Sequence, residues 1–187
     1  MTEKVLEEAY VSVDIEASGP IPGDYSLLSL GACLIDTPDR TFYRELKPIS
    51  DRFVADALAV SHLSLDDLKT KGADPANAMR DFSKWVQGAT SARSPVFVGF
   101  NAAFDWAFVN WYFDHFGIDN PFGIGALDIK AYYMGLAGTS WEATRASQIP
   151  QSFRDPDRAE HSHNALDDAV EQAAMFARML RAGRRGR

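Results

Sequence analysis

Two carboxylates lie one residue apart near the start of the chain, in the tripeptide Asp14-Ile15-Glu16. They follow an alternating, β-branched segment, and side chains alternate between the faces of a strand, so Asp14 and Glu16 share one face. Two carboxylates at the end of a buried strand repel each other and resist desolvation, and a bound divalent cation relieves both costs. The alternative is a solvated pair on an exposed strand edge, and the tripeptide alone favours that alternative.

A further acid, Asp105, follows a short apolar segment in the run from Asn101 to Asp105. Asn101 is a suitable N-cap, which predicts that Asp105 lies in the first turn of a helix at the carboxyl end of a strand, where α/β sheets bind ligands. The alternative is that Asp105 only complements the helix dipole, which contributes about 0.5 kcal/mol. Phe104 adjoins this acid, so we expect it, among the aromatic residues here, to touch a ligand base.

The third group runs from His161 to Asp168 and contains two histidines and two adjacent aspartates. The apolar residues that follow have helical spacing and predict an amphipathic helix: Leu166, Ala169, Val170, Ala173, Phe176, Ala177 and Leu180. Because His163 and Asp168 are five residues apart, they do not share one helical face, so we place His163 in the preceding loop and Asn164 at the N-cap. Asp167 then lies near the third helical position, where it would cap the helix.

A small set of elements must position these groups. Strands are predicted at Ala9 to Ile15, Ser26 to Ile35 and Thr41 to Lys47, close enough in sequence for an antiparallel meander. The apolar segment Pro95 to Phe100 is typical of a central parallel strand. Helices are predicted at Leu65 to Lys71, Pro75 to Val86, Asn101 to about His115, Asp128 to Leu136 and His163 to Leu180. This order predicts an α/β fold, with one mixed sheet flanked by helices.

Length and composition are those of one globular domain. The chain has 187 residues, of which 46% are hydrophobic and 24% charged, and this argues against disorder, collagen-like repeats and coiled coil. No segment approaches the roughly 18 consecutive apolar residues of a membrane span, and the N-terminal residues are not those of a signal peptide. The single cysteine, Cys33, excludes an internal disulfide and a cysteine-rich zinc site, so we expect a cytoplasmic protein.

Charge is unevenly distributed along the chain. The formal net charge is −7, but residues 178–187 carry five arginines and no acid, so the rest of the chain is more acidic than the total indicates. Such a body binds polyanions poorly unless its carboxylates hold cations. We expect residues 1–180 to form the domain and residues 181–187 a short, solvated basic tail, with a phosphate-binding arm as the alternative.

Three short motifs occur in a fixed order along the chain: Asp14-x-Glu16, Asn101-x-x-Phe104-Asp105 and His163-x-Ala165-x-x-Asp168. They resemble the three motifs of the DEDD exonucleases with a catalytic histidine, a family that includes ribonuclease T, oligoribonuclease and the epsilon proofreading subunits of DNA polymerase. The similarity spans Tyr10 to Leu180. It implies a ribonuclease H-like fold, two divalent metal ions (Mg²⁺ or Mn²⁺), and 3′→5′ hydrolysis at the 3′ end of single-stranded RNA or DNA.

The resemblance also implies roles for individual residues. The implied metal ligands are Asp14, Glu16, Asp105 and Asp168, with Asp14 bridging the two ions, and the implied general base is His163. The residue chemistry agrees, because two ions about 4 Å apart can activate water and stabilise the leaving oxygen of a phosphodiester. Carboxylates without thiols suit hard ions such as Mg²⁺ or Mn²⁺, and a histidine titrates near neutral pH, as a base must.

The chain departs from the family pattern beside two motifs. Ala17 and Ser18 stand where Thr-Thr is usual, in the segment that resembles the one that meets the terminal nucleotide, so we predict that both, with Phe104, bind substrate. Phe100 stands where a histidine often precedes the second motif.

Two alternative functions stay open at this stage. The lack of an extended basic stripe favours a hydrolase of dinucleotides or short oligonucleotides. A non-catalytic nucleic-acid-binding module is the other alternative, and the complete set of motif residues argues against it. Several relatives in the resembled family are homodimers, but no feature of this sequence marks an interface.

Overall fold

A five-stranded mixed sheet forms the centre of the fold, in the order β3-β2-β1-β4-β5. The strands are β1 (Glu8–Ala17), β2 (Leu27–Leu34), β3 (Thr41–Glu45), β4 (Ser94–Gly99) and β5 (Ala126–Asp128). β1, β2 and β3 pair antiparallel, whereas β4 runs parallel to β1 and β5 parallel to β4. This pairing confirms the prediction of an antiparallel meander followed by parallel strands. The computed structural model describes residues 7–154 and 163–185.

Six helices flank this sheet. They are α1 (Ala55–Ser61), α2 (Leu65–Lys71), α3 (Pro75–Thr90), α4 (Ala103–His115), α5 (Ile129–Ala137) and α6 (Ala165–Arg185). Three single-turn 3₁₀ segments, Glu142–Thr144, Ala146–Gln148 and Gln151–Phe153, follow α5. No helix in the described part of the chain is both long and apolar enough to cross a membrane.

Two elements were not predicted. α1 has no side-chain N-cap bond and buries only Ser61, so it carries neither a start signal nor an apolar stripe. β5 has three residues, too few for an alternation to be recognised, and the prediction assigned its last residue, Asp128, to a helix. Most predicted ends differ from the observed ones by at most two residues, but α3 continues four residues further, to Thr90, and α6 five residues further, to Arg185. The helix thus takes in residues 181–185, which had been assigned to a solvated tail.

The two faces of the sheet are covered by different helix pairs. On one face, the apolar side chains of β1 pack against aromatic residues of α3 and α4, such as Phe82 and Phe113. On the other, Val98 of β4 packs with Ile129 of α5 and Phe176 of α6. Burial of each such side chain contributes about 1.5–3 kcal/mol, so both layers hold the sheet firmly. β2 is buried along its whole length, as a strand covered on both faces must be.

The start of α6 lies directly against the sheet at Gly31 of β2. A methyl group at Gly31 would overlap the backbone of Ala165 and Leu166. Gly31 is also the residue of β2 that pairs with Asp14 of β1. The missing side chain therefore lets the first turn of α6 approach the β1 strand, and this approach brings the first and third motifs together.

Candidate active site

Three carboxylates from distant parts of the chain meet at the carboxyl end of β1. Asp14 and Glu16 project from β1, and Asp168 projects from the first turns of α6. One oxygen of each lies within 4.8 Å of the others, and all three side chains are half-buried. Oxygens of Asp and Glu at this spacing fit one hard divalent cation. Val13 and Ile15, which flank Asp14 in the strand, belong to the core on the opposite face. The prediction that Asp14 and Glu16 share one face is therefore confirmed.

Asp105 lies next to this group but is held differently. It is in the first turn of α4, as predicted, and is only 5% exposed. Its Oδ1 accepts a hydrogen bond from the backbone N–H of Ile15 at 3.1 Å, between Asp14 and Glu16. The set of three oxygens within 4.8 Å does not include Asp105. The hydrogen bond therefore fixes Asp105, of the second motif, to the backbone of the first motif. We define Asp14, Glu16, Asp105 and Asp168 as the acidic cluster, with Asp105 at its border.

The acidic cluster is electrostatically unfavourable without a cation. Burial, followed by the charges of Asp105 and Asp168, raises the pKa of Asp14 well above its usual value. Burial and the charge of Asp168 raise the pKa of Glu16 to about 7, and burial is also the main cause that raises the pKa of Asp105 to about 8. Carboxylates that resist ionisation in this way are stabilised in their charged form by a metal ion. The donor set and its electrostatics therefore both fit a bound divalent cation.

The predicted N-cap of α6, Asn164, is confirmed, although the predicted helix range began two residues too early, at His163. Asn164 Oδ1 accepts hydrogen bonds from the N–H groups of Leu166 at 3.0 Å and Asp167 at 3.4 Å, so Asn164 is the N-cap and α6 begins at Ala165. His163 lies in the preceding loop, exposed, with φ of 48°. His163 thus lies outside the helix, as predicted, and its role as general base stays a prediction. His161 lies outside the described residues.

A second histidine, which the sequence analysis missed, stands beside His163. His62 follows the last residue of α1, and its ring is edge-on to that of His163, with centroids 6.5 Å apart. Its backbone is left-handed, with φ of 57°, and its N–H closes the helix on Leu58 O. No motif marks it in the sequence, because only the packing of α1 over the sheet brings it to this place.

A buried amide also contacts the first motif and was missed. Gln172 is 5% exposed and lies one turn after Asp168 on α6. Its Oε1 accepts from Phe100 N–H at 2.5 Å, while its Nε2 donates to Val13 O at 3.0 Å and lies 3.5 Å from Asp14 Oδ1. Gln172 therefore ties α6 to β1 and to the end of β4. The helical spacing of four from Asp168 was the signal available in the sequence.

The predicted N-cap of α4 was wrong. Asn101 has φ of 66°, and the N-cap position is Ala102, whose side chain makes no capping bond. The N–H of Ala102 is instead bonded to Asp128 Oδ2 at 2.7 Å. Asp128, at the end of β5, also accepts from Ala131 N–H at 2.7 Å and so caps α5. A carboxylate from the neighbouring strand replaces the local cap, which leaves the Asn101 side chain exposed.

The residues predicted to bind substrate differ in exposure. Ala17 and Ser18 are buried, and Ser18 Oγ donates to Arg52 O at 2.9 Å and accepts from Ser26 N–H at 2.8 Å. The Ser18 hydroxyl therefore holds the β1–β2 connection together. Phe104 is 36% exposed and packs on Phe108 with ring centroids 5.3 Å apart. Substrate contact by these three residues stays a prediction.

Comparison with known proteins gives one family for nearly the whole chain. The model of the Rv2179c-like 3′-5′ exoribonuclease domain matches residues 9–180. The 3′-5′ DNA exonuclease Cap18 of Escherichia coli is 47% identical over 176 residues, which cover 91% of this chain and 90% of that protein.

Solved structures share the fold at low identity. A full-length 3′-exonuclease has a TM-score of 0.76 at 14% identity, with 95% of this chain and 84% of the other covered. The nuclease domain of 3′hExo, described as a DEDDh family member bound to rAMP, has a TM-score of 0.75 at 13% identity, with 96% and 94% covered.

Two further structures with this fold carry ions. Pop2p of S. pombe, in its Mg²⁺- and Mn²⁺-bound form, has a TM-score of 0.58 at 16% identity, with 90% and 81% covered. The zinc-bound complex of E. coli ExoI with single-stranded DNA has a TM-score of 0.64 at 18% identity, with 91% and 40% covered. The ribonuclease H-like fold expected from the motifs is thus confirmed, and with the acidic cluster assembled as described, this chain belongs to the Rv2179c-like 3′-5′ exoribonuclease domain family and is a 3′-5′ exonuclease.

Proposed function

We propose that this exonuclease removes nucleotides one at a time from the 3′ end of single-stranded DNA with two divalent ions, Mg²⁺ or Mn²⁺. The observation that carries the proposal is the convergence of Asp14, Glu16 and Asp168 within 4.8 Å, with Asp105 bonded to the same strand. Four carboxylates without a thiol favour hard ions over zinc or copper. Pop2p, which shares the fold, binds both proposed ions.

The proposed ions would supply positive charge at the scissile phosphate and lower the pKa of water. The chain contributes the ligands and the proton acceptor. Asp14, on which the charges of Asp105, Asp168 and Glu16 all act, would hold the ions together with those residues. Gln172 Nε2, beside Asp14 Oδ1, helps to orient this carboxylate. His163, free of the helix and exposed, accepts the proton of the attacking water in this proposal.

DNA is proposed as the main substrate because of relatedness. The E. coli relative at 47% identity is named a DNA exonuclease, whereas the wider family is described as exoribonucleases. Identity over 91% of the chain is the more specific relation. The proposal also includes a single domain, which α6 extends beyond residue 180 to Arg185. It further includes a cytoplasmic location, in keeping with the single cysteine, Cys33. A homodimer stays a prediction that the molar mass in solution would test.

The test compares 5′-labelled single-stranded DNA and RNA of one sequence, with Mn²⁺ and with Mn²⁺ plus chelator. We expect a ladder that shortens from the 3′ end, faster on DNA, and no cleavage with chelator. A 3′-phosphorylated strand and a circular strand should resist. Equal cleavage of circular and linear DNA would contradict the exonuclease assignment, and faster cleavage of RNA would contradict the choice of polymer.

Short oligonucleotides are the second candidate substrate. The observation in favour is the net charge of −7, which weakens the attraction of long polyanions. Rates on dinucleotides and on strands of about twenty nucleotides at equal concentration of 3′ ends decide between them. If dinucleotides are clearly preferred, the proposed function changes from the degradation of long strands to the hydrolysis of short oligonucleotides.

A further inference from the structure

A cavity of about 460 Å³ opens at the carboxyl edge of the sheet, on the β4–β5 side of the acidic cluster. Its lining includes the turn Asn101–Ala103, which leads into α4, and the indoles of Trp106 and Trp141. Asp105 follows this turn by two residues. The cavity is therefore continuous with the backbone that positions the catalytic carboxylates.

Trp141, in the lining, has a lysine ammonium over its ring. Trp141 is 51% exposed, which is unusual for so large an apolar side chain. The ammonium of Lys130, on the first turn of α5, lies 4.1 Å from the centroid of the Trp141 ring. Lys130 thus covers one face of the indole, and the exposed half of the side chain leaves surface for a second stacking partner.

An anionic ligand would meet its cation beside the lining of the cavity rather than within it, because the charged residue of the lining is an aspartate. The acidic residue in its lining, Asp128, has one oxygen bonded to Ala102 N–H and the other to Ala131 N–H, each at 2.7 Å. These two donors stabilise its charge inside the protein. The Lys130 ammonium at the Trp141 ring is the neighbouring cation. An exposed indole beside a cation is the combination with which proteins bind single strands, because every base has a face that can stack.

We propose that Trp141 and Lys130 form the subsite for the nucleotide that precedes the scissile phosphate on its 5′ side, with the base stacked on the indole and a phosphate paired with the ammonium. This inference rests on the proposed function. The segment expected to meet the terminal nucleotide, Ala17-Ser18, lies on the β1–β2 side of the acidic cluster, and the cavity lies on the β4–β5 side. We therefore place the upstream part of a strand, whose last phosphodiester is at the cluster, on the Trp141 side.

The test separates the upstream part of the strand from the reaction centre. Trp141→Ala, Trp141→Phe and Lys130→Gln are compared with wild type on an eight-nucleotide DNA strand and on the p-nitrophenyl ester of thymidine 5′-monophosphate, which has no upstream nucleotide. Lys84→Gln, at an exposed lysine of α3 far from the cavity lining, is the matched charge control.

We expect Trp141→Ala to raise KM for the octanucleotide roughly 5- to 100-fold, the range for loss of one base–aromatic stack, with kcat little changed. Trp141→Phe keeps a stacking face and should restore KM to within about threefold of wild type. Lys130→Gln should raise KM and weaken its dependence on salt, because one phosphate contact is lost. All variants should hydrolyse the nitrophenyl ester at the wild-type rate.

Three results would overturn the subsite: an unchanged KM for the octanucleotide in Trp141→Ala, an equal loss on both substrates, or a change of molar mass in light scattering, which would assign Trp141 to contact with a second copy. Anisotropy of a labelled octanucleotide in Ca²⁺ gives Kd without turnover. If wild type cleaves neither substrate, the proposed function fails, and the Kd of Trp141→Ala still decides the subsite.

Discussion

Replacing the carboxylate of Asp168 is expected to stabilise the metal-free protein and to abolish its response to metal. The oxygens of Asp168, Asp14 and Glu16 lie within 4.8 Å, and two unit charges at this distance repel each other by about 3.5 kcal/mol at an effective dielectric constant of about 20. Because the pKa of Glu16 is about 7 and that of Asp14 is raised, the cluster is partly protonated at neutral pH. The repulsion relieved by Asp168→Asn is then about 1–2 kcal/mol.

These free energies convert into measurable melting temperatures. For a domain of this size, 1 kcal/mol shifts Tm by about 2–4 °C, so metal-free Asp168→Asn should melt about 2–8 °C above metal-free wild type. An ion present at a hundred times its Kd stabilises the folded state by about 2.7 kcal/mol. Wild type should therefore gain about 5–11 °C with Mn²⁺, whereas Asp168→Asn should gain almost nothing and hydrolyse almost no DNA.

The adjacent acid provides the matched control. Asp167 is exposed, occupies the third position of α6, and points about 100° away from Asp168 around the helix axis. Asp167→Asn removes the same charge from the same helix end and should cost at most about 1 kcal/mol through the helix dipole. It should keep both the Mn²⁺-induced shift and the hydrolysis rate.

The assay is thermal unfolding followed by circular dichroism, with and without saturating Mn²⁺, together with the hydrolysis rate of labelled DNA. The reasoning is refuted if Asp167→Asn loses the Mn²⁺-induced shift while Asp168→Asn keeps it. It is also refuted if Asp168→Asn melts below wild type without metal, since the carboxylate would then stabilise the fold.

His163→Ala should lower kcat by roughly 10²–10⁴ while the Mn²⁺-induced shift in Tm remains. His161→Ala should leave kcat close to the wild-type value, and the reverse pattern would refute the assignment of His163 as the base. Gly31→Ala should lower Tm and weaken Mn²⁺ binding together, because the added methyl overlaps the backbone at the start of α6, and calorimetry that finds normal Mn²⁺ affinity would contradict this. Without metal, the free energy of unfolding should fall as the pH rises from about 4 to about 8. Glu16 and Asp105 have pKa values of about 7 and about 8 in the folded protein, so they retain protons there that the unfolded chain releases. Urea denaturation at about pH 5 and about pH 8.5 measures this difference; Mn²⁺ should reduce it, and a flat profile would show that the carboxylates ionise freely.

Local patterns in the sequence were sufficient to predict the features that depend on contacts between residues close together in the chain. The alternation around Asp14 placed it and Glu16 on one face of β1, and the bounds of α2 were predicted without error. Asn164 was recognised as the N-cap of α6 because its hydrogen bonds reach only two and three residues along the chain. These features depend on backbone geometry over one or two turns, which residue type and spacing control directly.

Contacts between distant residues were decided only by the tertiary structure. The cap of α4 is Asp128, 26 residues after Ala102, and the local choice of Asn101 was wrong for that reason. His62 reaches the third motif through helix packing, which leaves no periodic signal in the sequence. Gln172 shares a helical spacing with Asp168, but its contact with the first motif also depends on packing. Motif residue types identified the family, but the distances between their carboxylates depend on how closely α6 approaches the sheet.

That approach depends on Gly31, a residue that appears unremarkable in the sequence because its role is the absence of a side chain. The sequence by itself identified the carboxylates and the histidine as the candidate groups, since hard cations prefer oxygen ligands and proton transfer at neutral pH favours histidine. Only the tertiary structure decided that oxygens of Asp14, Glu16 and Asp168 lie within 4.8 Å of one another. This distance depends on how the surrounding elements pack, and the residues that make those packing contacts take no part in the reaction.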